Sequence, residues 1–205
     1  MSDAFLKKSY GLEKVDHTRE FYRDWAASYD AEITENGYQT PRRCAEALAR
    51  HLSHKDAKIL DSGCGTGLSG LAFRAQGFTN LYGNDLSQEM IDIATTRDIY
   101  KNVTVVDLNN ALDFEAGTYD VIAAVGVISV GHAPASAIAE MFDKLVAGGI
   151  FVYSINDASI AEGSFVAATD ALLTRDDAYL CEARYDAHLP KIDMKSTVYV
   201  IKKTA

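Results

Sequence analysis

No stretch of this 205-residue chain approaches the roughly 20 consecutive apolar residues that a membrane-spanning helix requires. No apolar core of signal-peptide length follows the lysines of MSDAFLKKSYGLEK either. Both absences argue against a spanning or secreted protein. Cysteine is scarce: Cys44, Cys64 and Cys181 are odd in number and lack metal-ligand spacing, which predicts buried reduced thiols in a cytoplasmic setting. Positive charge is also short, with 20 Lys and Arg against 29 Asp and Glu. The net charge of -9 repels phosphate, and the basic residues form no stripe, so nucleic acid is disfavoured as a partner. His17, His51, His54 and His188 stand at no ligand spacing to cysteines or acids, so they predict solvated or structural roles and no metal. Repeats, low-complexity tracts and domain-separating linkers are absent too.

What is present is an ordinary globular composition, 48% apolar and 24% charged, enough for one domain to bury a core without staples. From Lys58 onward short apolar runs alternate with helical patterns, which predicts an α/β fold with a parallel sheet. AKILD is the first strand, with a helix expected over Thr66 to Gln76 and Gly77 ending it. NLYGND is the second, followed by a helix capped by Ser87, and NVTVVDL is the third. YDVIAAVGVI, apolar almost throughout, suits a central strand buried on both faces. Ala137, Ile138, Met141, Phe142 and Leu145 share one helical face, and Gly148-Gly149 should stop that helix before the strand IFVYSIN. A helical stretch near Ala158 to Leu173 precedes YLCEARYDAHL and KSTVYVIKK, an expected antiparallel hairpin at the sheet edge. Ahead of all this lie two helical patterns, the second with Thr40 as cap and Pro41 in its first turn. Residues 1–55 thus form a dependent helical cap, and 56–205 the main domain.

The chemistry concentrates in ILDSGCGTGLSG, which crowds four glycines into eight positions between a strand and a helix. Such a turn lets a ligand approach bare backbone at a helix N-terminus. Two registers compete. Gly65-x-Gly67-x-x-Gly70 matches the dinucleotide fingerprint, with Asp85 about 20 residues on, where a ribose-binding acid belongs. Gly63-x-Gly65-x-Gly67 instead puts Asp61 just ahead of the turn, badly placed beside a pyrophosphate and well placed to meet an ammonium. Asp85 after the second strand can take ribose hydroxyls, and Asp107 after the third can accept from an adenine amine. Three aspartates at three successive strand ends describe a ligand with amino acid, ribose and adenine in line.

Here the sequence resembles the class I S-adenosylmethionine-dependent methyltransferases. ILDSGCGTG is similar to their first motif, LYGNDLSQEMI to the second, VTVVDL to the third, and YDVIAAVGVI to the strand carrying the fourth. FYRDWAASYDAE, the Thr40-Pro41 pair, GCGTGLSG and VGVISVGHAP resemble most the methyltransferase-like group that includes the protein of the Williams-Beuren syndrome region. The resemblance implies a Rossmann-like sheet of seven strands, mostly parallel with an antiparallel C-terminal hairpin strand, and helices on both faces. It implies S-adenosylmethionine as cofactor, with Gly63, Gly65 and Gly67 along its methionine and ribose side and Cys64 as small filler in that turn. Asp85 would hold the ribose, Leu86 pack on adenine, and Asp107 with the Leu108 amide read the adenine edge. Asp61 would line the methionine side with those glycines, Gly126 and its neighbours would lie beneath the methionine part and the methyl, and the N-terminal helix would close over the cofactor through Tyr22 and Tyr29, with Trp25 packing. AVGVI carries none of the acidic, proline-containing signature that accompanies amino-nitrogen acceptors in parts of this family.

His132, just beyond the fourth strand in SVGHAP, is the candidate general base, because ligands in open α/β sheets sit at strand C-termini. Its competing role is a loop histidine that shapes the pocket or caps the helix beginning near Ala135. Tyr38 could face the site or anchor its loop. Because nearly the whole chain is taken up by the cofactor core, the expected acceptor is a small soluble molecule; the alternatives are a methyltransferase acting on a protein or RNA and a non-catalytic S-adenosylmethionine-binding module.

Overall fold

The computed structural model describes Trp25 and residues 28–204. Tyr22 and His17 lie outside the described residues. Seven strands make one sheet: β1 (Ile59–Ser62), β2 (Leu81–Asp85), β3 (Val103–Val105), β4 (Tyr119–Ala124), β5 (Leu145–Asn156), β6 (Ala178–Leu189) and β7 (Met194–Lys203). Their spatial order is β3-β2-β1-β4-β5-β7-β6. The first five run parallel, while β7 is antiparallel to both β5 and β6. The expected architecture is therefore the observed one, hairpin included. Among the described residues no helix is long and apolar enough to cross a membrane.

Alternation along the strands divides the core between two faces. Ile59, Val121, Ala123, Ile150, Val152, Val198 and Val200 pack on one side with Leu48 of α1 (Thr40–His51) and Phe73 of α2 (Leu68–Ala75). Leu60, Ile122, Ala124, Phe151, Tyr153 and Ile201 pack on the other. Their partners there are Phe142 of α4 (Ala137–Asp143) and Leu172 of α6 (Ser164–Leu173). The period of two that defines a strand sends successive side chains to opposite faces. Asp61 follows Ile59 by two residues, so it points toward α1 and α2 and not along the strand axis.

Several local expectations are corrected. Thr40 is the first residue of α1 and caps nothing; Gln39 precedes the helix, and Thr40 Oγ1 instead meets His188 Nδ1 at 2.7 Å and Ser196 Oγ at 3.2 Å. Gly148-Gly149 do not stop α4, which ends at Asp143; they lie within β5. There the register jumps from Tyr119 opposite Leu145 to Val121 opposite Ile150. A Cβ at Gly149 would stand 2.9 Å from the Val146 carbonyl and 3.0 Å from that of Asp120, so this bulge needs a glycine against its partner strand. The helical stretch after β5 is two helices, α5 (Asp157–Glu162) and α6, broken where Gly163 turns left-handed at φ 94°. Ser87 does cap α3 (Gln88–Thr96), its hydroxyl accepting from the Met90 amide at 3.3 Å.

Strand β6 is an outer edge with a register break at Cys181 and another at His188. The second break turns His188 inward, where it is 4% exposed against Thr40.

Candidate active site

β1, β2, β3 and β4 end side by side, and the segments leaving their C-termini enclose one cavity. Gly63 and Gly65 line it after β1, Asp85, Leu86 and Met90 after β2, Asp107, Leu108 and Asn109 after β3. Val125, Gly126, Val127, His132 and Ala133 line it after β4, and Tyr29 and Tyr38 face it from the N-terminal segment. The reversal of strand order between β1 and β4 makes this crevice the place where open α/β sheets bind ligands.

The glycine turn decides between the two registers. The Gly63 and Cys64 amides both donate to the Asn84 carbonyl, at 2.9 and 2.8 Å, and the Gly67 amide to the Cys64 carbonyl at 2.9 Å. The Gly65 amide donates to Asp85 Oδ2 at 2.8 Å. Two amides of the Gly65-x-Gly67-x-x-Gly70 register, those of Gly65 and Gly67, are thus already engaged, the first by a carboxylate. Gly70 and Gly67 also face elsewhere: a Cβ on Gly70 would lie 2.4 Å from the Tyr100 hydroxyl, and one on Gly67 3.2 Å from Ile99. Gly63, at φ +73°, is closed in by Val127 at 2.4 Å, whereas a Cβ on Gly65 would meet no atom within 4 Å. The loop is thus a rigid wall around one open glycine.

Asp85 is fixed from two sides, its Oδ1 accepting from the Ser87 amide at 3.0 Å and its Oδ2 from Gly65. Burial raises its pKa above the ordinary value, and the amides of Ser87, Gly65 and Leu86 oppose that rise. Asp107 is oriented by Asn109 and Asn110, whose side-chain amides donate to its two oxygens at 3.0 Å each. Asp107 Oδ1 also accepts from the Asn109 backbone amide at 2.9 Å, so Oδ2 is the Asp107 oxygen with capacity to spare, while each Asp85 oxygen keeps a second lone pair. No lysine or arginine is among the described residues that line the cavity. The lining therefore favours a ligand carrying positive charge and hydroxyls over a polyanion.

Asp61, Cys64 and Gly67 do not line the cavity. Cys64 turns its sulfur toward β2, 3.0 Å from where a Cβ on Gly83 would sit. Asp61 is fully buried behind the loop, its Oδ2 accepting from Ser69 Oγ and the Tyr100 hydroxyl at 2.6 Å each. Its Oδ1 has no hydrogen-bond partner among the described residues. Burial pushes this carboxyl up to about 6, with Ser69 and Tyr100 pulling it back. An orphaned buried acceptor is costly unless a donor completes it.

Beyond β4, the Gly126 amide donates to Ser154 Oγ at 2.9 Å, and a Cβ on Gly126 would collide with the Tyr38 hydroxyl at 2.3 Å. His132 sits in a tight turn closed by its amide to the Ser129 carbonyl at 3.0 Å and by Ala133 to Val127 at 3.0 Å. Its Nδ1 lies 3.1 Å from the Val130 carbonyl and 2.9 Å from Ser129 Oγ. A carbonyl can only accept, so Nδ1 carries the proton and Nε2 keeps its lone pair. Burial lowers the His132 pKa, with the Val130 carbonyl opposing, which holds the ring neutral. Trp25 packs, as expected: it is 1% exposed, its Nε1 donates to Glu32 Oε2 at 2.8 Å, and its ring meets Tyr29 edge-on at 4.7 Å.

The residues that sequence reasoning missed are Met90, Asn109 and Ala133, while Val125 and Val127 are the neighbours expected beside Gly126. Met90 stands in the first turn after the helix cap and Asn109 two residues past Asp107, so proximity to the acidic strand ends was their only signal.

A doubly wound sheet with its cavity at the switch point is the form of a nucleotide-cofactor-binding domain, and the methyltransferase domain family matches residues 37–192. The chain belongs to that family, the class I S-adenosylmethionine-dependent methyltransferases. It is similar to human methyltransferase-like protein 27, 33% identical over 141 residues, which are 67% of this chain and 58% of that protein. The chain thus covers little more than half of that relative's length. It is also 31% identical over 101 residues, 49% of this chain and 35% of the relative, to a probable 18S rRNA (guanine-N(7))-methyltransferase of Dictyostelium discoideum. A crystal structure of a putative S-adenosyl-L-methionine-dependent methyltransferase from Methanococcus maripaludis shares the fold with a TM-score of 0.62 at 16% identity, covering 91% of this chain and 93% of that one.

Proposed function

We propose that this protein transfers a methyl group from S-adenosylmethionine to a nucleophile on a small soluble molecule. The observation that carries the reading is the Gly65 amide bonded to Asp85: it joins the glycine turn to the second strand end in a cavity whose described lining holds acids and no lysine or arginine, a poor setting for a pyrophosphate. When bound, S-adenosylmethionine supplies an electrophilic methyl on a sulfonium. Gly63 and Gly65 then admit its backbone-hugging middle, Asp85 takes the ribose hydroxyls, and Leu86 and Leu108 enclose the adenine that Asp107 reads. Asp61, behind the turn and outside the cavity, braces the turn from the rear through Ser69 and Tyr100. Tyr29 covers the ligand, and Tyr38 over Gly126 bounds the acceptor side.

Holding the acceptor in line can supply about 7 to 11 kcal/mol of the barrier, so placement matters more here than a strong catalytic group. His132, with Nε2 unprotonated, takes the proton of an acceptor that must lose one, a contribution of about 10²- to 10⁴-fold. Residues 1–55 serve as the cap that completes the pocket and 56–205 as the cofactor domain. Three free thiols accord with a cytoplasmic setting.

The relative named for 18S rRNA keeps a macromolecular acceptor as the second reading, and the net charge of -9 alone does not decide against it. Calorimetric titration with S-adenosylhomocysteine, and with NAD in parallel, tests the cofactor; NAD binding alone would sink the proposal. Incubation of an extract with methyl-labelled S-adenosylmethionine tests the acceptor, since label should appear in the small-molecule fraction, and label confined to RNA or protein would select the second reading.

A further inference from the structure

One carboxylate outside the cavity joins three segments that form its walls. Asp30 follows Tyr29 in helical residues 28–35, and its Oδ1 accepts from Thr66 Oγ1 at 2.6 Å. Its Oδ2 pairs with Arg97, which ends α3. Thr66 stands between Gly65, the open glycine of the turn, and Gly67, where α2 begins. Arg97 terminates the helix whose first turn supplies Met90 to the cavity. The N-terminal segment has a second attachment of different character. Trp25 and Ile33 pack with Leu189 at the hairpin side, and the Gln39 amide donates to the His188 carbonyl at 3.0 Å.

The segment is therefore held on two sides: Trp25, Tyr29 and Ile33 pack in one apolar cluster with Leu189, and Asp30 ties it to the glycine turn and α3. Tyr29 packs on Trp25 and faces the cavity, one residue before the acid. The pair joins a 38% exposed carboxylate to a guanidinium only 18% exposed, so removing the acid leaves a mostly buried charge without its counterpart and cuts the tie between Tyr29's helix and the turn. The apolar cluster would then hold the segment alone, with the Trp25 and Ile33 contact as the hinge.

We propose that Asp30 is a positioning residue that latches the N-terminal helix onto the glycine turn and α3, holding Tyr29 over the cofactor and setting how fast cofactor and product leave. The proposal rests on the S-adenosylmethionine reading of the cavity. It requires no contact between Asp30 and the ligand, since its effect passes through Tyr29 and Thr66.

The test uses Trp25, the only tryptophan, whose ring touches Tyr29 and so reports on the cavity by fluorescence. Release of S-adenosylhomocysteine is followed by stopped flow in the wild type, Asp30→Asn, Thr66→Val, Arg97→Met and the Asp30→Asn/Arg97→Met double variant. Arg42→Ala, which removes a solvent-side pair with Glu46, is the control. Asp30→Asn should speed release about tenfold, with association changed less than threefold, and the double variant should be no faster than Asp30→Asn alone. Hydrogen exchange of the ligand-free protein should rise in 28–37 and 63–67 and stay unchanged in β6 and β7. Release rates within twofold of the wild type, or exchange that rises across the whole chain, would overturn the latch while leaving the cofactor reading intact. A wild type that binds no S-adenosylhomocysteine overturns both.

Discussion

Gly63 and Gly65 both have positive φ, at 73° and 53°, yet the structure predicts opposite consequences for adding one methyl to each. An L-residue in the left-handed region costs about 1 to 2 kcal/mol at either site. At Gly63 the new Cβ would stand 2.4 to 2.9 Å from three atoms of Val127, and overpacking of this kind adds about 1 to 3 kcal/mol. Gly63→Ala should therefore lose about 2 to 5 kcal/mol of stability. At Gly65 no atom lies within 4 Å, so Gly65→Ala should lose only the backbone share, while its methyl occupies room that a ligand needs. Urea unfolding and calorimetric titration with S-adenosylhomocysteine separate the two: stability falls chiefly in Gly63→Ala, affinity per folded molecule chiefly in Gly65→Ala. Adding Val127→Ala should restore part of the first loss and none of the second. Equal destabilisation of both variants, or a Gly63→Ala defect untouched by Val127→Ala, would refute this account of the turn.

Asp85→Ala should weaken S-adenosylmethionine binding by about 1.5 to 3 kcal/mol, the scale of lost charge-assisted hydrogen bonds; unchanged affinity in calorimetry would remove Asp85 from the site. His132→Ala should leave cofactor affinity within about twofold and slow turnover. Because burial lowers its pKa below 6.5, the wild-type rate should hold through pH 6.5 and fall only in more acidic buffer, and an acid limb centred above 6.5 would exclude His132 as the base. Asp61, raised from 3.8 to about 6, keeps its proton in the folded state where the unfolded chain has released it, so it lowers stability as pH rises from 4 to 6. Asp61→Asn removes that slope, and its stability relative to wild type should climb by about 2 to 3 kcal/mol across this window in urea titrations; a constant difference would contradict the buried, proton-retaining carboxyl.

The succession of strands and helices was legible because apolar runs alternate with helix patterns, and the aspartates at the ends of the first three strands mark where the ligand side begins. What spacing conveys less well is direction. Asp61, Cys64, Gly65 and Gly67 share one short turn, yet only Gly65 of these four faces the cavity, since the amide bonds to Asn84 and Asp85 fix which side of the loop turns inward. Glycine pairs mislead for a related reason: Gly148-Gly149 have the chemistry of a helix stop, but the close approach of the Asp120 carbonyl uses them inside a strand. Thr40 has the right side chain for a cap and is claimed instead by His188, 148 positions away, a partner no local pattern predicts. Strand β3 is three residues where seven were expected, because its exposed outer edge needs little apolar length.

The outer strand β6 bears on how this protein behaves when crowded. Among the described residues no strand pairs with the outer side of this 12-residue strand, and with exposed Tyr179, Leu180 and Tyr185 it is a template on which another chain could extend the sheet. The break at Cys181 interrupts the flat row of amides and carbonyls at its middle, and Glu182, Arg184 and Asp186 follow on alternate positions, so an added strand would have to desolvate charge at every second step. Smoothing that irregularity or neutralising those three side chains would turn a tolerated border into a growth point for aggregates, with no change at the cavity on the far end of the strand order.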